Sequence, residues 1–133
     1  METFTVNTNQ KDEVVDITEK INKKIKDMNI REGMCLVFVH HTTCCLTTAD
    51  LDPGTEQDML EALRGVLPKV SYRHPHDPSH TPDHILSSII GPSVMVPVQD
   101  TSLVLGAWQK VVLVEFNGPK KRTVSLTVVE EKN

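Results

Sequence analysis

The chain has 133 residues, 38% hydrophobic and 24% charged, with a formal net charge of −4. That length suits one domain with a core of its own, and the balance excludes a disordered tail. No run approaches the roughly 20 apolar residues of a membrane span, and the negative charge disfavours nucleic-acid binding, which relies on a basic footprint against phosphate.

In chain order, Met1-Glu2-Thr3-Phe4-Thr5-Val6 alternates polar with apolar and lacks the basic segment and apolar run of a secretory signal. A cytoplasmic protein is therefore expected, with a short strand from Phe4 to Thr8. Ile17, Ile21, Ile25 and Met28 recur at helical spacing and predict a helix from about Val14 to Met28. Lys20, Lys23, Lys24 and Lys26 fall largely off that stripe and read as its solvated face. After a turn at Glu32-Gly33, the near-continuous apolar run Met34 to His40 predicts a central strand buried on both faces. Cys35, Cys44 and Cys45 form no C-x-x-C pair and read as small buried thiols rather than a disulfide framework.

Asp52-Pro53 predicts the start of a second helix, with Asp52 as its cap and Pro53 at its first position. Met59, Leu60, Leu63 and Leu67 give it an apolar face, with Gly65 and Pro68 near its end. The stretch from Lys69 to Asp83 is rich in proline and histidine and reads as a long loop of the functional or mobile kind. Thr81-Pro82 opens a short helix carrying Ile85, Leu86, Ile89 and Ile90 and stopped by Gly91. Strands follow at Ser93 to Val98, about Leu103 to Leu105, Val111 to Phe116 and Thr123 to Val129, with Asn117-Gly118 as a hairpin signal between the last two. This order argues for α+β: a mostly antiparallel or mixed β-sheet sandwich with two main helices and one short helix, in a single domain over 1–133.

Six histidines occupy two short segments, His40 and His41 at a strand end and His74, His76, His80 and His84 in one loop. Imidazole is both the commonest transition-metal ligand and the usual acid–base near neutral pH, so a shared polar site is expected. His40 and His41 point to opposite faces if extended, so at most one of them reaches such a site. His74 and His76 share a face if extended; His80 and His84 have the i, i+4 spacing, although Pro82 places His80 at or before the helix start. Of the nearby carboxylates, Asp52 has a capping role and Asp83 suits a helix N-terminus. Asp50 has no evident local duty and is the leading acid–base candidate, with Asp77 beside it as a general base or as a partner that orients an imidazole. Lys120-Lys121-Arg122, with Arg73, offers cations for a phosphate, Lys120 and Arg122 acting together on a strand, or else edge charges that discourage sheet aggregation. Trp108 is expected either to stack on a ligand or to pack in the core.

These segments resemble the YjbQ-like family, sometimes labelled secondary thiamine-phosphate synthase. The match rests on His41-Thr42-Thr43-Cys44-Cys45-Leu46-Thr47-Thr48, Asp50, Asp52-Pro53, His74, and His84-Ile85-Leu86-Ser87-Ser88-Ile89-Ile90-Gly91. It continues through Leu105-Gly106-Ala107-Trp108-Gln109, Glu115 and Gly118-Pro119-Lys120-Lys121-Arg122. It covers nearly the whole chain in order. The resemblance implies an α+β subunit associating as a homotrimer, with a polar pocket for a divalent metal held by His41, His74 and His84. His76 and His80 then belong to this branch alone. The chain departs from the pattern at Ala49-Asp50, where members often carry Asn-Glu, at Ala107, where they carry Thr, and at Lys120-Lys121, where they carry more arginine.

The function expected is a metal-dependent small-molecule enzyme acting on a phosphorylated substrate, with thiamine-phosphate synthase-like activity implied by the resemblance. Three imidazoles on zinc would leave a fourth position for water or substrate. Asp50 and Asp77 would move protons, and Arg122, Lys120 and Trp108 would hold the substrate. No nucleic acid and no membrane are expected as partners. The competing expectation is a non-catalytic trimer in which the histidine or metal site is structural.

Overall fold

The computed structural model describes residues 1–74 and 76–132. Its strands are β1 (Glu2–Asn7), β2 (Glu13–Asp16), β3 (Gly33–Val39), β4 (Cys44–Ala49), β5 (Ser93–Gln99), β6 (Ser102–Leu103), β7 (Lys110–Glu115) and β8 (Lys121–Glu130). Helices α1 (Thr18–Asp27), α2 (Thr55–Val66) and α3 (Thr81–Ile90) lie between them, α3 being entered through a 3-10 turn at Pro78–His80. One sheet has the order β1-β8-β3-β5-β6 and the other β2-β7-β4. Every strand pair is antiparallel. The described residues therefore form the α+β sandwich with three α-helices.

Alternation along the strands sets the layers, because successive side chains point to opposite faces. Cys35, Val37, Val39, Val96, Val98, Val124 and Leu126 of the larger sheet meet Cys44, Leu46, Val111 and Leu113 of the smaller one, with Ile17, the N-cap of α1, and Ile21 and Ile25 of α1 closing the same core. The opposite face of the smaller sheet, Cys45, Val112 and Val114, packs with Phe116 against Leu86 and the apolar sides of α2 and α3. That sheet is covered on both faces. The larger sheet is not: Met34 and Phe38 on the outer side of β3 are exposed. β3 is thus a central strand in its sheet but buried on one face only, contrary to its expected double burial. Its outer residues are apolar without being covered by this chain.

Several local expectations are corrected. Val14 and Val15 are extended and pair with β7; their β-branched side chains suit a strand, and α1 begins only at Thr18. Strand β4, not anticipated, is an edge strand of the smaller sheet. Helix α2 starts at Thr55 behind a Pro53-Gly54 turn, and its N-cap is Gly54 at φ 90°, a conformation open to glycine, rather than Asp52. Asn117-Gly118 does not close a hairpin, since β7 and β8 lie in different sheets. The tight hairpin is instead β5–β6, turned by Asp100 and Thr101, both at positive φ.

Two ionic groups tie these layers together. Asp83 is buried, and instead of merely facing the helix dipole it accepts from Arg64 Nη1 at 2.6 Å and from Lys11 Nζ at 3.3 Å. Arg64 also grips Asp12, and both cations donate to the Phe116 carbonyl, at 2.9 and 2.7 Å. In the other group Glu115 of β7 and Arg122 of β8 form a fully buried pair between the two sheets. Burial opposes ionisation of Glu115, but donation by Arg122, the Asn117 N–H and the Thr8 hydroxyl outweighs it and holds the carboxyl below its ordinary value near 4.5.

A carboxylate whose folded pKa is lowered contributes stability that is present above its unfolded value and is lost as the pH falls through its folded value. Glu115→Gln leaves Arg122 buried without its counter-charge, which costs about 3–5 kcal/mol at neutral pH. Urea unfolding followed downward from neutral pH should show that deficit shrinking below about pH 4.5, as the wild type loses the same contribution; a deficit independent of pH would contradict the assignment.

Candidate functional site

The β3–β4 turn gathers a histidine corner. His41 follows β3 and is half-buried; its Nε2 accepts the Thr123 N–H at 2.8 Å, which places the ring proton on Nδ1. Burial and then Arg122 lower its pKa from 6.5, with Glu115 opposing, so the ring is neutral near pH 7. His40 turns to the other side, against the Ser125 hydroxyl at 3.0 Å and the Phe38 ring. Opposite orientation of the two neighbours, as strand geometry requires, is what the contacts show.

His84 sits on the first turn of α3, with Nδ1 3.2 Å from the Thr42 carbonyl. A carbonyl oxygen only accepts, so Nδ1 carries the proton and Nε2 keeps its lone pair. His74 stacks on His84, with ring centroids 5.1 Å apart and planes 11° from parallel. The Nδ1 of His74 accepts the N–H groups of His76 and Asp77 at 3.3 and 3.2 Å, which puts its proton on Nε2. The His76 ring meets His74 edge-on. His80 does not join His84 across a helical turn; it lies 3.2 Å from Asp77. Beside His41, a cavity of about 200 Å³ is lined also by Thr42, Cys44, Ser87, Ser88 and Pro92.

The three expected metal ligands thus fall in one neighbourhood, but only His84 presents a free ring lone pair. His41 Nε2 is engaged by the backbone, and the lone pair of His74 is on the nitrogen that caps its own loop. Among the described residues no three His, Cys, Asp or Glu side chains are grouped to hold a metal ion. As arranged, the residues do not fit a three-imidazole metal site.

The expected acids and substrate-binding residues are placed differently. Asp77 accepts from the Ser79 N–H at 3.0 Å and from its hydroxyl, and these bonds hold its carboxyl below the ordinary range. It caps the 3-10 turn and stays ionised. Asp50 does have a local duty, accepting the Asp52 N–H at 3.0 Å. It follows the last residue of β4, whereas His41 precedes the first, so the length of the strand, about 17 Å at the usual rise, separates them. Trp108 joins Asp50 at that far end, lining a cavity of about 430 Å³ with Thr48, Ala49, Gly106, Ala107 and Gln109. It is 72% exposed and is not part of the core.

Arg122 is no anion hook. It is buried, donates from Nε to Glu115 at 2.8 Å and from Nη2 to the Thr43 hydroxyl at 2.8 Å, and so lies beneath His41 as a fixed charge. Lys120 is exposed, and Arg122 faces inward, so the two do not act together. Arg73 and Lys121 are also exposed. All three cysteines are free and buried, and burial raises their thiols, Cys35 and Cys45 to about 12 and Cys44 to about 11. None is a ready nucleophile.

The groups that orient the imidazoles leave no trace in the sequence. The Thr42 carbonyl and the Thr123 N–H are backbone atoms with no side-chain signal. Ser87 and Ser88 appeared only within the matched segment. No helix among the described residues is long and apolar enough to cross a membrane.

Comparison with known proteins places this geometry. The family described as UPF0047 protein YjbQ-like matches residues 2–131. UPF0047 protein YugU of Bacillus subtilis is 33% identical over 124 residues, covering 92% of this chain and 94% of its own. A UPF0047 protein of Archaeoglobus fulgidus is 33% identical over 122 residues, covering 91% and 94%. Among solved structures, a YjbQ/UPF0047 family protein of Clostridium acetobutylicum superposes with a TM-score of 0.88 at 31% identity, covering 97% of this chain and all of its own. A protein of unknown function from Sulfolobus solfataricus gives 0.90 at 28% identity, covering 98% and 96%. The chain belongs to the YjbQ-like UPF0047 family.

Proposed function

We propose that the chain is a small-molecule enzyme acting on a phosphorylated substrate at the histidine corner. The observation that carries this reading is the pair of complementary imidazoles around Thr42. His84, oriented by the Thr42 carbonyl, has Nε2 free to take a proton. His41, with Nε2 held by Thr123, has a proton on Nδ1 to offer to a substrate oxygen. A base whose other nitrogen is fixed by a hydrogen bond, beside a neutral imidazole donor, suits proton transfer near neutral pH.

An anionic substrate is supported by the donors at this end. Arg73, Lys120 and Lys121 are exposed there, while the nearby carboxylate of Asp77 is occupied by Ser79. Thiamine-phosphate synthase-like transfer is one reaction of this class; the residues in place select neither it nor phosphate-ester hydrolysis. The proposed mechanism uses imidazoles alone. A divalent metal, zinc above all, would require His41 to release Thr123 and His74 to release its loop.

Self-association as a homotrimer belongs to the same proposal, supported by the uncovered apolar side of the larger sheet, where Met34, Phe38, Met95 and Val129 are exposed. That surface also supports the second reading, a non-catalytic assembly braced by its histidines.

With a panel of phosphate and pyrophosphate esters, His84→Ala should lower turnover by roughly 10²-fold or more, the usual weight of a general base, while folding and assembly persist. His41→Ala should behave likewise. Loss of assembly or thermal stability in both variants, with no turnover by the wild type, would favour the bracing role. Metal analysis of protein purified without an affinity tag should find no stoichiometric ion; one zinc per chain would overturn the metal-free mechanism.

A further inference from the structure

Asp50 and Trp108 stand about one strand-length from the histidine corner, although all of them were expected in one site. We propose that the working site is completed between two copies of this chain, the histidine corner of one closing on the Asp50–Trp108 end of the next. This rests on the reading of that corner as a reacting centre.

Three observations support the contact. First, the Asp50–Trp108 end is open. Its indole is 72% exposed, and a second cavity of about 220 Å³ continues past it between Asp52 and Lys110. An indole left uncovered by its own chain, over a concave surface, is the form of an interface anchor. Second, the two ends differ in charge. Asp50 and Asp52 are exposed at one end, with Lys110 as the half-buried cation between them. Arg73, Lys120 and Lys121, together with the imidazoles, occupy the other and outnumber the half-buried carboxylate of Asp77 there. Opposed patches of this kind favour head-to-tail docking over like-with-like pairing. Third, the flank joining the ends carries exposed apolar side chains beside polar ones. Met95 is 61% exposed and Val104 46% exposed, and both line a cavity of about 380 Å³ beside Thr47 and Thr48 of β4.

A contact between two different patches is heterologous, and it closes into a ring when the rotation permits. A closed ring is compatible with the homotrimer proposed above. It would set the carboxylate of Asp50 and the indole of Trp108 against a neighbour's His41 and His84, a placement that one chain cannot achieve along β4. The indole would then cover a bound substrate, and Asp50 would add a carboxylate beside the imidazoles.

Cysteine cross-linking tests this without a substrate. Ser88 lines the His41 cavity and Ala107 the Trp108 cavity; both are exposed, and the natural cysteines are buried. Differently tagged Ser88→Cys and Ala107→Cys chains, co-expressed and treated with a short bis-maleimide, should cross-link to each other. In a random equal mixture about a quarter of the head-to-tail contacts carry both cysteines, and neither variant alone should form a linked product. Linkage of like with like, no linkage in an assembled protein, or a monomer in solution would each overturn the shared site. His41→Ala turnover separates the two layers of the claim. Loss of turnover without the cross-link removes the shared site and leaves the enzyme. The cross-link with turnover unchanged leaves the contact and removes the catalytic reading on which the shared site depends.

Discussion

The buried pair of Glu115 and Arg122 is the constraint around which the rest is arranged. Glu115 ends β7 in the smaller sheet and Arg122 lies near the start of β8 in the larger one, so their contact fixes how the sheets meet at this end. Two charges withdrawn from water are tolerable only with good geometry and further hydrogen bonds. Here Thr8, Thr43 and the Asn117 N–H supply them. Thr43 belongs to the β3–β4 turn, and through it the pair also sets where Thr42 and His41 stand. The fixed guanidinium adds to burial in keeping His41 neutral. One ionic contact thus joins the sheets, shapes the turn and sets the protonation of the ring above it.

The Arg64–Asp83 group acts on the same corner from the other side. It anchors the first turn of α3 to the Phe116 carbonyl, and the Phe116 N–H donates to the Thr43 carbonyl at 3.1 Å. The residue after Asp83 is His84, whose Nδ1 returns to Thr42. A closed circuit of contacts therefore runs from the core ion pair through Phe116 and α3 back to the turn. Each imidazole is oriented by backbone that one of the two ionic groups holds.

Much of the fold was legible because period and composition carry it. The stripe of Ile17, Ile21 and Ile25 is the buried side of α1 and its N-cap, and the apolar run at β3 is a strand. The double burial expected for β3 failed because apolar composition cannot distinguish a covered face from one left exposed. Asn117-Gly118 suggested a hairpin, yet the chain uses that turn to pass between sheets; β7 pairs instead with β2 and β4, and β8 with β1 and β3, partners distant in sequence. At the site, the clustering of histidines was visible and their roles were not. Arg122 resembled an anion hook because its neighbours are lysines, whereas its partner lies seven residues back on another strand. Asp50 and His41 looked close in sequence, but an intervening strand holds them apart.

The central claim is that His41 is a neutral imidazole with its proton on Nδ1, held by the Thr123 N–H above the buried pair. Long-range proton–nitrogen NMR on nitrogen-labelled protein reads this directly, since the two ring nitrogens have distinct shifts in each tautomer. The account predicts for His41 a single neutral form near pH 7, protonated at Nδ1 and bare at Nε2, titrating below the ordinary histidine value of about 6.5. A protonated imidazolium at neutral pH, or a ring carrying its proton on Nε2, would contradict it.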